Sequence, residues 1–112
     1  MIWLIMSDTW DKILRLIHGG DIKISEHGYD ELAADDISVR EIVAGINDSV
    51  VLKDYPEYRK GPCVLVMQND RQKRLIHVVW GIPRGLSSPA VLVTAYRPDP
   101  EYWIDGIRRR IK

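Results

Sequence analysis

The spacing of apolar residues changes once along the chain, and that change restricts the fold more than any other feature. Before Ser49 the apolar positions recur every three or four residues, the spacing of one helix face; after it they come in short β-branched runs. Residues 7–18 predict an amphipathic helix, capped by Ser7 or Asp8, with Trp10, Ile13, Leu14 and Ile17 on one face and Gly19-Gly20 as its stop. After the short alternating Ile22-Lys23-Ile24, Ser25 offers a second N-cap. The helix it opens is two to three turns long, carries Tyr29, Leu32 and Ala33 as its apolar stripe, and ends near Asp35-Asp36. Ser38 with Glu41 is a capping box, and Ile37 can staple onto Ile42, so a third helix carries Val39, Ile42, Val43 and Ile46.

Four β-rich runs follow: Val50 to Leu52, Cys63 to Met67, Leu75 to Trp80, and Ala90 to Tyr96. Asn69 to Gln72 reads as a short hairpin loop and Pro83 to Pro89 as a longer connection, which makes an antiparallel meander the economical topology. The expected class is α+β, with N-terminal helices packed on a four-stranded antiparallel sheet. Asp99-Pro100 is an N-cap followed by proline at the first helical position. It predicts a short C-terminal helix whose Trp103, Ile104, Ile107 and Ile111 edge docks on the rest.

A length of 112 residues, 46% hydrophobic and 29% charged, suits one domain over residues 1–112 and excludes a tandem arrangement. Lys plus Arg and Asp plus Glu are both 16, so no overall field draws the molecule to nucleic acid or to an anionic membrane. The halves differ, however. Residues 1–60 hold 12 acidic and 7 basic side chains, a net of −5, and residues 61–112 hold 4 and 9, a net of +5. The single cysteine, Cys63, excludes an internal disulfide and fits a reducing cytoplasm. The opening MIWLIM is too short for a membrane span and lacks the basic leader of a signal peptide, and either Met1 or Met6 could be the start.

No Walker loop, dinucleotide glycine pattern or nucleophile elbow is present. His18, His27, His77 and Cys63 lack ligand spacing, so neither a metal nor a cofactor is expected. His27 falls in the first turn of the second helix, where backbone N–H groups and the helix dipole disfavour added positive charge, leaving it neutral as a general base must be. The blander alternative is a histidine that fixes the helix start. His77 interrupts the apolar run LIHVVW on a face shared with Leu75 and Val79, pointing into either a core or a cleft. Thr94 and Tyr96 share a face of the last strand, and a phenol can position or transfer a proton, although strand tyrosines also serve packing. Arg97 follows them. Arg108, Arg109 and Arg110 on a helix would fan out at about 100° steps, so one or two could hold a phosphate and the rest would be a solvated end. Together these side chains fit a metal-free ribonuclease: RNA supplies its own 2′-OH nucleophile, and the protein needs a base, an acid and cations.

The segments ISEHGYDEL, DDISVREIV, VVLKDYPEYRKGPCVLV, LIHVVWG and VLVTAYRPDPEYW, in this order, resemble the bacterial domain-of-unknown-function family 4258 over about residues 22–110. That family is similar to the RelE-like and MqsR-like toxins. The resemblance implies a RelE-like fold, an activity that cleaves messenger RNA, and a cognate antitoxin partner, often a small zinc-finger type. It points to His27, His77, Thr94 and Tyr96 as site residues, with Tyr55 beside them. Catalytic roles are expected of His27, His77 and Tyr96, and RNA-binding roles of Tyr55, Thr94, Arg97, Arg108 and Arg109. Relatives often carry arginines in the helix after the first histidine, where this chain has Glu31 and Asp35. The competing expectation is a non-enzymatic protein-binding module whose aromatic surface is Trp80, Trp103, Tyr55 and Tyr58. Either way the expected chain has no membrane association, and a homodimer remains open.

Overall fold

Serine caps set the helices. In the computed structural model, which describes residues 6–101 and the backbone of residues 103–104 and 108–109, Ser7 accepts from the Trp10 N–H at the start of α1 (Asp8–His18). Ser25 accepts from Gly28 N–H at α2 (Glu26–Ala34), and Ser38 from Glu41 N–H at α3 (Val39–Ala44). Each cap satisfies one of the donors that a helix start leaves without an intrahelical partner. Only half of the capping box at α3 forms as the sequence suggests. The Glu41 carboxylate instead accepts from Arg71 N–H, 3.0 Å away in a distant turn, tying the helix to the sheet.

The sheet has five strands, not four. β1 (Ile22–Ile24), β2 (Val50–Tyr55), β3 (Cys63–Asn69), β4 (Leu75–Gly81) and β5 (Ala90–Tyr96) lie in the order β1-β5-β4-β3-β2. The last four form the expected antiparallel meander. β1 adds a parallel edge, with Ile22 opposite Ala90 and Ile24 opposite Leu92. Three residues are too few to announce a strand by alternation, and their partner lies far along the chain, so only tertiary pairing reveals them.

The apolar stripe of α2 also differs from expectation: Tyr29 and Ala33 are exposed, and Gly28 and Leu32 are buried. The cause is close packing, because a Cβ on Gly28 would stand 2.8 Å from the Leu92 carbonyl. A glycine, absent from any count of apolar residues, is the contact point. The Ser25 hydroxyl donates to Val93 O at 2.9 Å and the Asp35 carboxylate accepts from Arg97 N–H at 3.0 Å, so α2 runs alongside β5 from one end to the other.

The C-terminal segment departs from the predicted helix. Trp103–Ile104 (β6) pairs antiparallel with Arg108–Arg109 (β7), Trp103 opposite Arg109. The intervening sequence contains Asp-Gly, a strong hairpin signal, and a helix this short has little stability of its own. The side chains of this segment, the docking expected of it and the expectations about residues 1–5 lie outside the described residues.

Alternation assigns the two sheet faces. Val64, Val66, Ile76, Val78, Trp80, Leu92 and Ala95 join Trp10, Ile13, Ile17, Leu32 and Ile42 of the helices in one buried cluster. Gln68 shares this inner face, where its amide donates to Ile42 O at 2.9 Å and answers a helix-end carbonyl. The opposite, outer face carries the polar residues of interest. No helix among the described residues is long and apolar enough to cross a membrane.

Candidate functional site on the outer face of the sheet

Strand register lays the outer face out in rows. Cys63, Gly81 and Val91 form one row, Leu65, Val79 and Thr94 the next, and Met67, His77 and Tyr96 the third. The β4–β5 ladder shifts between Val79 and Trp80, which inserts Val93 as an extra residue and keeps Thr94 and Tyr96 on this face.

His77 and Tyr96 are direct cross-strand partners. The imidazole is fully buried, its Nδ1 is 3.3 Å from the Tyr96 hydroxyl, and the rings meet edge to face with centroids 5.3 Å apart. Tyr96 itself is partly exposed. The contact joins a buried imidazole to a phenol nearer the surface, and the imidazole tautomer sets which of the two donates. Of the two settings the sequence leaves open for His77, the structure has it packed within the outer face rather than lining an open cleft.

His27 stands elsewhere. It is on the exposed side of the first turn of α2, its Nε2 3.6 Å from Glu31 Oε1, and its side chain is 66% exposed. Because Ser25 is anchored at Val93, the start of α2 sits three residues along β5 from Tyr96, roughly 10 Å at strand rise. The structure thus brings His77 and Tyr96 together, leaves Thr94 one row away, and gives His27 Glu31 as its neighbour.

Arg97 is engaged. Its Nη1 lies 3.0 Å from Oδ2 of Asp70, a carboxylate whose side chain is 1% exposed. Asp70 also accepts from the N–H groups of Gln72 at 2.8 Å and Arg74 at 2.9 Å, and from Arg74 Nε at 3.2 Å. Burial pushes this carboxyl up, but the Arg74 and Gln72 N–H groups and the Arg97 and Arg74 guanidiniums outweigh it and hold it below the usual carboxylate range. The cluster locks the β3–β4 turn to the end of β5. Sequence reasoning misses Asp70, although an aspartate followed by three polar residues between strands is a signal for a side chain that organises its own turn.

At the other end of the outer face an open groove of about 550 Å³ runs past Tyr55, Tyr58, Lys60, Cys63, Val79 and Val93. Tyr55 and Tyr58 are 45% and 50% exposed. Burial and the nearby Asp54 charge push the Cys63 thiol up, so it stays protonated and weakly nucleophilic at neutral pH. Trp80, expected in an aromatic surface, is instead fully buried on the inner face. The side chains of Trp103, Arg108 and Arg109 lie outside the described residues. Their strand backbone removes the helical fan assumed for the arginines. Among the described residues, no group of three or more His, Cys, Asp or Glu could hold a metal ion.

No curated protein and no solved structure matches the chain. A family model does: the domain of unknown function DUF4258 matches residues 24–97, from the last residue of β1 through the end of β5 to Arg97. That span covers α2, the meander, the His77–Tyr96 pair and the groove-lining residues, and the chain belongs to this family.

Proposed function

We propose that the chain is the toxin of a bacterial toxin–antitoxin pair, a metal-independent endoribonuclease that cleaves messenger RNA, with a fold related to the RelE-like and MqsR-like toxins. The observation that supports the reading is the His77–Tyr96 pair, two groups able to carry a proton that lie 3.3 Å apart with one member partly exposed. Cleavage by the RNA itself needs little else. A base takes the 2′-OH proton as O2′ bonds to phosphorus, the P–O5′ bond breaks, and an acid returns a proton to O5′. The products are a 2′,3′-cyclic phosphate and a 5′-hydroxyl. In this scheme Tyr96 meets the scissile phosphate or its nucleophile and His77 exchanges the proton behind it. Thr94 flanks them, and Arg108 and Arg109 are the candidates for binding phosphate. Arg97 positions the end of β5 through Asp70, and His27 has a lesser role at the start of α2. The partner expected is a cognate antitoxin protein.

Expression in a bacterial host tests this reading. Wild-type chain should arrest growth, and His77→Gln and Tyr96→Phe, shown to be folded by circular dichroism, should relieve the arrest. Folded variants as toxic as wild type would refute the assignment. The two exposed tyrosines beside the groove favour a second reading, a non-enzymatic protein-binding module. It predicts partner capture without hydrolysis and no effect of the His77 or Tyr96 replacements.

A further inference from the structure

The groove at the Cys63–Gly81–Val91 end of the outer face lies away from the His77–Tyr96 contact, yet it is built. Its rim is two loop segments clamped together by backbone bonds: Ile82 N–H donates to Pro62 O at 3.0 Å and Arg84 N–H to Lys60 O at 3.1 Å, while Gly61 N–H closes back on Tyr58 O at 2.9 Å. Gly61 has φ +125°, and a Cβ there would run into the Ile82 carbonyl, so the close approach of the two segments requires glycine. The groove's volume falls within the range of small-ligand sites, about 300 to 1,000 Å³.

The chemistry of the lining selects the occupant. Val79, Val91, Val93 and Pro83 provide apolar walls, and Tyr55 and Tyr58 add two half-exposed aromatic side chains to the lining. Lys60 is the one charged side chain among the described lining residues, with no carboxylate beside it in the lining. Arg59 and Arg84 flank it, joined by an Arg84 guanidinium bond to Arg59 O. Flat aromatic platforms next to cations are how proteins hold single-stranded nucleic acid without reading its sequence.

We infer that the groove is a subsite for one nucleotide of single-stranded RNA, the base stacked on Tyr55 or Tyr58 and a neighbouring phosphate at Lys60. The inference rests on the nuclease reading above and adds to it a place for a base, where that reading names only phosphate contacts. The groove and the His77–Tyr96 pair share one face, separated by the Leu65–Val79–Thr94 row.

Binding of a short fluorescein-labelled 2′-O-methyl RNA of mixed sequence tests the subsite, because methylation removes the nucleophile and separates binding from cleavage. Tyr55→Ala and Tyr58→Ala, at half-exposed positions that should leave the fold intact by thermal melt, are expected to weaken binding. At least one should do so by roughly five- to 150-fold, with the corresponding phenylalanine variant retaining most of the affinity. Lys60→Gln should flatten the dependence of log K on log salt by about 0.7, the share of a single phosphate on a single strand. Bound RNA should also slow maleimide labelling of Cys63. Unchanged affinity in both alanine variants, or no binding of the probe by wild type, overturns the subsite. If wild type cleaves unmodified RNA while these variants bind the probe normally, the subsite fails and the nuclease stands. Tyrosine-dependent binding without cleavage leaves the subsite standing and removes the nuclease. Loss of protein-partner binding with RNA binding intact gives the groove to a protein and overturns the inference.

Discussion

The two faces of the same sheet are made of different chemistry. On the inner face every strand of the meander contributes alkyl side chains or Trp80 to a core closed by three helices. On the outer face the same strands present Cys63, His77, Thr94 and Tyr96, with Tyr55 at the end of β2. Burial alone does not separate them, since His77 is as inaccessible as Val78 beside it. What separates them is that the inner-face residues, Gln68 apart, interact through shape and area, whereas His77 and Tyr96 interact through a directed polar contact. The first kind of residue should control stability and the second activity.

The largest effect that would sharpen this contrast is Trp80→Ala. Removing a fully buried indole should cost about 3–5 kcal/mol in urea unfolding. A loss below about 1 kcal/mol would mean that the inner face is not the core. Next comes Gly28→Ala, where the added methyl meets the Leu92 carbonyl and should cost about 1–3 kcal/mol by forcing α2 off β5. The acid limb of stability probes the Asp70 cluster. Its carboxyl titrates lower in the folded protein than in the unfolded chain, so its contribution is complete above the unfolded value of about 4 and is lost as pH falls through the folded one. Asp70→Asn should lower the urea midpoint at neutral pH and flatten its decline in acid; an unchanged decline would deny Asp70 this role. The smallest stability effect belongs to the outer face, where Tyr96→Phe should cost at most about 1.5 kcal/mol, the worth of one hydrogen bond. A larger loss would place Tyr96 among the structural residues and break the comparison.

Helix starts are legible in the sequence because a cap is local: Ser7, Ser25 and Ser38 each announce themselves within three residues. The four antiparallel strands are legible for the same reason. β1 is not, being three residues long with its partner at Ala90–Leu92. At the C-terminal end Asp99-Pro100 points to a helix, yet the Asp-Gly signal that follows it prevails. In the site, His77 and Tyr96 can each be picked out by residue type, but their pairing cannot. It depends on the register of β4 against β5 across a long connection and on the bulge at Val93. The groove is hidden for a related reason, since it exists only where the segment around Gly61 meets the segment around Ile82. Residue type alone assigns Arg97 to phosphate, yet its observed partner is Asp70, a residue whose importance comes from tertiary structure and not from any motif.

The most direct test of the central claim is incubation of purified chain with end-labelled RNA in the presence of chelator, beside folded His77→Gln and Tyr96→Phe, followed by chemical identification of the product ends. Wild type should give 2′,3′-cyclic phosphate and 5′-hydroxyl ends, with cleavage reduced by about 10²–10⁴ in His77→Gln. Equal cleavage by the folded variants, or 3′-hydroxyl and 5′-phosphate ends, would contradict that claim.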